Sequence, residues 1–285
     1  MILVFGSINA DLIFDMEALP APGQTLLAKA LRIEAGGKGA NQALAARRAG
    51  AEVVMAGAVG RDALADIALA NLRADGVDLS RVMVMDQPTG CASVCTDAFG
   101  RNQIAVALGA NALARQSQID DMLLRRTTCV LMQGESDVGE VEALIARAKA
   151  AGVHVILNLA PAVRLRDESL RDVDLLVVNE DEAASVAGWL SCEPTAKGLH
   201  IALGLEVIRT LGAHGSEAAT LDGVFHLPAT KVTPVDTTAA GDCYVGVLAA
   251  GLDRGDPLVI AMRNASAAAA QACLVKGSQA SMPRL

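Results

Sequence analysis

Two glycine-rich segments hold the residues best suited to chemistry in this chain. The first is Gly36-Gly37-Lys38-Gly39-Ala40-Asn41-Gln42-Ala43. Glycines ahead of an Ala-rich stretch predict a helix start that a ligand can approach closely, with its first amides free to donate. The spacing is not G-x-G-x-x-G, and Lys38 is followed by Gly39 rather than Ser or Thr, so neither a dinucleotide fingerprint nor a Walker A loop is present. A lysine at that end opposes the helix dipole and suggests a negative or polar partner. Asn41 can hydrogen-bond a neutral polyol.

The second segment is Val235-Asp236-Thr237-Thr238-Ala239-Ala240-Gly241-Asp242-Cys243. Its small-residue turn runs into an Ala/Val-rich stretch, so the amides around Ala239, Ala240 and Gly241 are expected to form an anion hole at a helix start. Asp242 is also an ordinary residue for a first helical turn. A carboxylate beside an anion hole, however, suits phosphoryl transfer to an alcohol. It orients and deprotonates the hydroxyl while the amides neutralise the transferring group.

Two further groups are less specific. Asn179 with Glu182 three residues on has capping-box spacing. Read functionally, the pair stands near nucleotide phosphates and a water-coordinated Mg²⁺, which takes few protein ligands. Thr210-Leu211-Gly212-Ala213-His214-Gly215 is either a plain loop or a backbone turn against a nucleotide. Asp11, Glu135, Asn158, Asn179 and Thr210 all fall at or just beyond expected strand ends, on the edge where open α/β sheets bind ligands.

The elements that must carry these residues are short apolar runs alternating with Ala-rich amphipathic stretches. Strands are expected at 2–7, 53–59, 129–133, 153–158, 175–178 and 207–211, and helices at 38–49, 63–74, 138–150, 180–187, 240–252 and 258–274. That alternation predicts a doubly wound α/β fold, mostly parallel, with helices on both faces. Segments 9–35 and 88–108 break the rhythm with hairpin-like patterns, the second around a turn at 99–102. They are expected to form a small β lid on a single domain spanning 1–285.

The 285 residues are 52% hydrophobic and 20% charged, with a net charge of −8, and no basic run offers a nucleic-acid face. Aromatic residues are only 2%, which argues against base stacking as the main activity. No apolar run approaches the roughly 18–20 residues of a membrane span. The six cysteines show no zinc spacing, and the N-terminus has no basic leader, so a cytoplasmic protein with reduced thiols is expected.

With these residues in view, the chain resembles the ribokinase-type (PfkB) carbohydrate kinases over essentially its full length. The matching segments follow in order: INAD at 8–11, PAPGQT ending at Thr25, GGKGANQA, TG at 89–90, GAN at 109–111, LMQGES at 131–136, NEDEA at 179–183, TLGAHG at 210–215, DTTAAGD at 236–242 and KGSQASMP at 276–283. Three positions depart from the family pattern: Leu159, Ser266 and Val275. The resemblance implies an ATP-dependent kinase for a sugar hydroxymethyl group, D-ribose first, with another sugar or a nucleoside as the alternative acceptor. A non-catalytic sugar-binding protein on the same fold is a third reading. By the resemblance, Asp242 is the base, beside the anion hole of Ala239, Ala240 and Gly241. Asp11, Gly37, Lys38, Asn41 and Glu135 contact the sugar. Asn179, Thr210, Gly212, Gly215 and Ser266 lie on the nucleotide side. Glu182 is linked to Mg²⁺, and Asp236, Thr238, Ala272, Gly277 and Ser281 hold K⁺. Pairing of two copies through the lid into a homodimer is also implied, with Phe14 and Phe99 the aromatic candidates for a nucleoside base.

Overall fold

The computed structural model describes residues 1–99 and 101–285; the turn expected at 99–102 includes Gly100 and lies outside the described residues. The main sheet has nine strands in the spatial order β13 (Gly223–Leu227), β12 (Ser216–Thr220), β11 (Glu206–Thr210), β10 (Leu175–Val178), β9 (His154–Asn158), β8 (Cys129–Gln133), β1 (Ile2–Phe5), β4 (Val53–Gly60) and β5 (Asp78–Met85). All neighbours run parallel except the β11–β12 and β12–β13 pairs. The central strands read as continuous apolar runs because both faces are covered. Ile2 and Val4 pack on one side with α1 (Lys38–Arg48), α2 (Ala63–Ala74), α8 (Ala240–Asp253) and α9 (Leu258–Ala272). Leu3 and Phe5 pack on the other side with α3 (Asp121–Arg126), α4 (Val138–Ala150), α5 (Asp167–Arg171), α6 (Glu180–Leu190) and α7 (Ala196–Leu203).

From β1 the chain winds first to β4 and β5, then returns to β8 and continues the opposite way. The strand order therefore reverses between β1 and β8, and a crevice opens at their carboxyl ends. Over it stands a four-stranded sheet in the order β3 (Ala30–Gly36), β2 (Asn9–Asp15), β6 (Gly90–Thr96) and β7 (Asn102–Ala107). Asp11 is paired with Glu34 on β3 and Ala92 on β6. Side-chain brackets hold its connections to the core. The Asn111 amide bridges the backbone of Ile8 and the side chain of Asn9, at 2.9 and 2.8 Å. Asp62 accepts both Thr89 N–H and Thr89 O–H, at 2.8 and 2.7 Å.

The long periodic elements fall where the sequence predicts them, within a few residues. The edge strands β5 and β13, the strand β12 beside β13, and the short helices α3, α5 and α7 were not expected. Edge strands carry mixed polar and apolar residues, so their apolar signal is weak. For the β12–β13 hairpin, Asp222-Gly223 beside the turn was the available cue. Asp11 lies beyond the end of β1, inside β2 of the small sheet, within the segment expected to form β structure there.

Small residues set how closely the pieces meet. A Cβ on Gly39 would stand 2.7 Å from the Gly6 Cα, so the third glycine of the first motif lets α1 seat against the end of β1. A Cβ on Gly246 would lie 2.5 Å from the Gln42 carbonyl oxygen on α1, so α8 meets α1 there at backbone contact. Gly188 on α6 faces open space instead. Gly246→Ala is expected to destabilise by about 1–3 kcal/mol through overpacking. Gly188→Ala is expected to stabilise by about 0.5–1 kcal/mol through helix propensity. Urea midpoints compared at unchanged m-value check both signs.

Candidate active site

Two cavities meet at the start of α8. One, of about 850 Å³, lies under the small sheet and is lined by Asp11, Gly37, Lys38, Asn41, Glu135, Ala239 and Asp242. The other, of about 740 Å³, is lined by Asn179, Thr210, Gly212, Gly215, Ala240, Gly241 and Ser266. Pro234 and Thr237 border both. Every residue expected on the sugar side thus lines the first cavity, and every residue expected on the nucleotide side lines the second.

The first turn of α8 divides them. Ala239 has φ +57°, a left-handed conformation that costs a non-glycine residue of order 1 kcal/mol or more and here turns the chain sharply into the helix. The Ala240 amide differs from expectation, because it donates to the Thr237 carbonyl at 3.2 Å. Among the described residues, the N–H groups of Ala239, Gly241 and Asp242 have no acceptor, so these are the amides left free to face an anion at the start of α8. Asp242 is 8% exposed; its two oxygens accept from Asn41 Nδ2 and Gln42 Nε2, each at 2.9 Å.

Asp11 enters from the small sheet. A Cβ on Gly36 would lie 2.0 Å from Asp11 Oδ2, so the first glycine of the motif is space for that carboxylate. Gly37, at φ +88°, makes the turn into α1. Burial, reinforced by the charges of Glu135, Asp242 and Glu34, pushes the Asp11 carboxyl from its usual 3.8 up to about 7. Lys38 answers this acidity. The Asp242 charge, with Glu135, Glu182 and Asp11, raises its ammonium pKa against the effect of burial. Glu135 accepts from Ser7 Oγ at 2.5 Å and from the Lys38 amide at 3.2 Å, which ties the ends of β1 and β8 to the start of α1.

Asn179 and Glu182 form a reciprocal capping box at the start of α6, each bond 2.8 Å. Burial raises the Glu182 carboxyl. Asp236 joins two segments: its oxygens accept from the amide of Thr238 at 2.9 Å and from that of Gly277 at 3.0 Å. These bonds outweigh burial and hold its carboxyl below the usual range. The Val235 amide donates to the Cys273 carbonyl at 2.8 Å, next to Ala272 at the end of α9, and Ser281 is buried with its hydroxyl on Ser278 O. Polar residues that the sequence named without assigning a role complete the cleft: Gln42, Gln133 and Asn158 behind Asp242, and Lys276 lining the first cavity. A buried amide at the last position of an apolar strand was the signal for Gln133 and Asn158.

The family model for the pfkB family carbohydrate kinases matches residues 1–285. The chain belongs to the pfkB carbohydrate kinase family. It is 35% identical to the ribokinase of Haemophilus influenzae, with 98% of this chain and 94% of that protein covered. It is 36% identical to the bifunctional ribokinase/ribose-5-phosphate isomerase A of Fructilactobacillus sanfranciscensis, covering 99% of this chain and 54% of the relative, about half of its length. The structure of Arabidopsis thaliana ribokinase complexed with ribose and ATP superposes with a TM-score of 0.88 at 30% identity, covering 99% of this chain and 95% of that one. This carbohydrate kinase is accordingly a phosphotransferase that acts on a sugar hydroxyl.

Asp11 gives the ligand-free kinase a distinctive pH dependence. A carboxyl near 7 when folded and 3.8 when unfolded loses stability as pH rises between those values. The stability of Asp11→Asn relative to the parent should therefore climb between about pH 5 and 7 and level off above. Paired thermal melts across that range check the sign; a difference that is flat with pH contradicts it.

Proposed function

We propose that this protein is an ATP-dependent ribose kinase that phosphorylates the 5-hydroxymethyl group, with Asp242 as the base. The observation that carries the reading is the position of Asp242 and the free amides of Gly241 and Asp242, at the junction of two cavities. In this reading the 5-hydroxyl oxygen attacks the γ-phosphorus of ATP, the bond to the β–γ bridging oxygen breaks, and Asp242 takes the hydroxyl proton. The amides face the charge on the transferring group. Asp11, Lys38, Asn41 and Glu135 offer the mixed donors and acceptors that sugar hydroxyls require. The Haemophilus influenzae relative is named a ribokinase, and the Arabidopsis thaliana structure holds ribose and ATP, which supports the same pair of substrates.

ATP belongs in the second cavity, beside Asn179, Thr210, Gly212, Gly215 and Ser266. Its walls are mainly small and aliphatic, with Tyr244 anchored to Ser216 as the ring present. Mg²⁺ suits Glu182, which has one oxygen committed to the Asn179 amide and the other left for a bound water. The ion supplies charge neutralisation on the phosphates. For K⁺, Asp236, Thr238, Ala272, Gly277 and Ser281 offer hard oxygen donors, and the Asp236 bonds keep the two segments together. K⁺ bound there would supply positive charge to these oxygens and hold the loop that leads into α8.

A nucleoside acceptor is the second reading, because Ile13, Val94, Ile104 and Val106 make part of the cleft wall apolar. Its aromatic candidates are displaced, however. Phe14 alternates with Ile13 and so points to the opposite face of β2, and Phe99 is not among the cavity's lining residues. Leu31 and Ile33 remain exposed on the small sheet, and a second copy covering them makes the homodimer of this proposal. Reduced, free cysteines suit a cytoplasmic location. Among the described residues, no helix is long and apolar enough to cross a membrane.

ADP release measured with ribose, 2-deoxyribose and inosine should give the highest kcat/KM for ribose. Asp242→Asn should lower kcat by roughly 10²–10⁴-fold with ATP affinity nearly unchanged. Near-parent turnover in that variant would remove Asp242 from the role of base. Light scattering should give twice the chain mass, and a single-chain mass rejects the dimer.

A further inference from the structure

Behind Asp242 lies a chain of buried side-chain amides that the reaction scheme leaves unused. Gln42 and Gln133 are 0% exposed and Asn158 is 7% exposed. Each interrupts an otherwise apolar setting: Gln133 ends β8 after Cys-Val-Leu-Met, and Asn158 ends β9 after Val-Ile-Leu. Buried amides weaken a core unless every polar atom is paired. Here Gln133 Oε1 has no partner among the described residues and sits against Gly6, where a Cβ would come within 1.9 Å of it. Methionine at 133 would fill similar space without that unpaired acceptor. It would, however, take the donor from Gln42 Oε1, so the amide at 133 serves Gln42 rather than its own pairing.

The bonding pattern has a direction. The Val177 carbonyl on β10 can only accept, so Asn158 turns its Nδ2 to it at 3.0 Å and leaves Oδ1 for Gln42. Gln42 Nε2 donates one proton to Asn158 Oδ1 at 2.8 Å and the other to Asp242 Oδ1 at 2.9 Å. Its Oε1 accepts from Gln133 Nε2 at 2.8 Å. A strand carbonyl at one end and a carboxylate at the other thus set the polarity of every amide between them. Reversing Gln42 would put its oxygen against the Asp242 carboxylate. Asn41, the other donor to Asp242, lines the sugar cavity and can exchange that bond for a sugar hydroxyl. Gln42 lines neither cavity, so no substrate competes for it.

We propose that Gln42, oriented by Asn158 and Gln133, is a positioning residue that holds the Asp242 carboxylate in its transfer geometry while Asn41 turns to the substrate. The inference rests on the reading of Asp242 as base. A displaced base loses catalysis without losing substrate contacts, so the cost falls on kcat rather than KM.

The test is steady-state ADP release with ribose and ATP, using Gln42→Met, Gln133→Met, Gln133→Glu, the Gln42→Met/Gln133→Met pair and Asp242→Asn. Gln42→Met should lower kcat about 10–100-fold, the range for one lost bond to a charged group, with both KM values within about threefold. Gln133→Met acts only through Gln42, so adding it to Gln42→Met should lower kcat no further. Gln133→Glu offers an acceptor where Gln42 needs a donor. It draws Nε2 away from Asp242 and should cut kcat at least about fivefold more than Gln133→Met at matched thermal stability. That pair keeps the inference testable if Gln42→Met does not fold. Parent-like kcat in Gln42→Met, independent effects in the double variant, or equal kcat for the two Gln133 variants each overturns it. If Asp242→Asn is crippled while Gln42→Met is normal, the positioning role alone fails; if Asp242→Asn turns over normally, the base assignment fails first.

Discussion

The cleft depends on one steric constraint: α1 and α8, far apart in sequence, must begin within hydrogen-bonding distance of each other. Backbone contact at Gly246 sets their separation, and the Gly6–Gly39 contact seats α1 against the end of β1. One turn before Gly246 on α8 is Asp242, and one turn before Ala46 on α1 is Gln42, so the close crossing leads directly to the Asn41–Asp242 and Gln42–Asp242 bonds. A larger residue at any of these positions separates the helices and breaks a polar contact that no surface adjustment can restore. The motif glycines accordingly serve packing as much as ligand access: Gly36 houses the Asp11 carboxylate, Gly37 turns the chain, and Gly39 admits the helix.

That approach also concentrates charge. Asp11, Glu135, Asp242 and Glu182 act on Lys38 in a partly desolvated region. Burial and then its carboxylate neighbours raise the pKa of Asp11, and the four carboxylates raise that of Lys38 against burial. A cleft of this sign repels a phosphate donor, in line with the chain's overall charge of −8. Helix geometry offsets the repulsion. The free amides at the start of α8 present positive partial charge toward the junction without adding net charge. In the proposed reaction, the acidic side serves the neutral sugar and the amide side serves the phosphates.

How much of this was legible in the sequence follows from the range of each signal. The central strands and the helices they alternate with have strong local periodicity and fall where expected. So do the two glycine-rich turns, because positive φ and close approach restrict residue choice locally. The edge strands β5 and β13, and β12 beside β13, are stabilised by pairing with their neighbours rather than by a continuous apolar run, and their residues look like loop. Asp242, Asp11 and Lys38 stand within recognisable turns. Gln133 and Asn158 are single amides ending apolar strands, and Gln42 lies in the first motif without a legible role; their meaning arises only when α1, β8, β9 and β10 converge. The bond from the Ala240 amide to the Thr237 carbonyl was not legible, because a left-handed Ala239 cannot be foreseen from an Ala-Ala-Gly run.

The convergence also bears on why the polar groups behind Asp242 are amides rather than charges. A lysine or arginine at 42 would pair with Asp242 strongly but would add a desolvated charge that must be matched whenever the carboxylate gains a proton. A glutamine donates the same hydrogen bond, stays neutral throughout and can be oriented by neighbours of its own kind. Its orientation is anchored, through Asn158, at the Val177 carbonyl of the main sheet rather than in the small sheet. An amide network rooted in the main sheet thus fixes the Gln42–Asp242 bond without a contact from the small sheet.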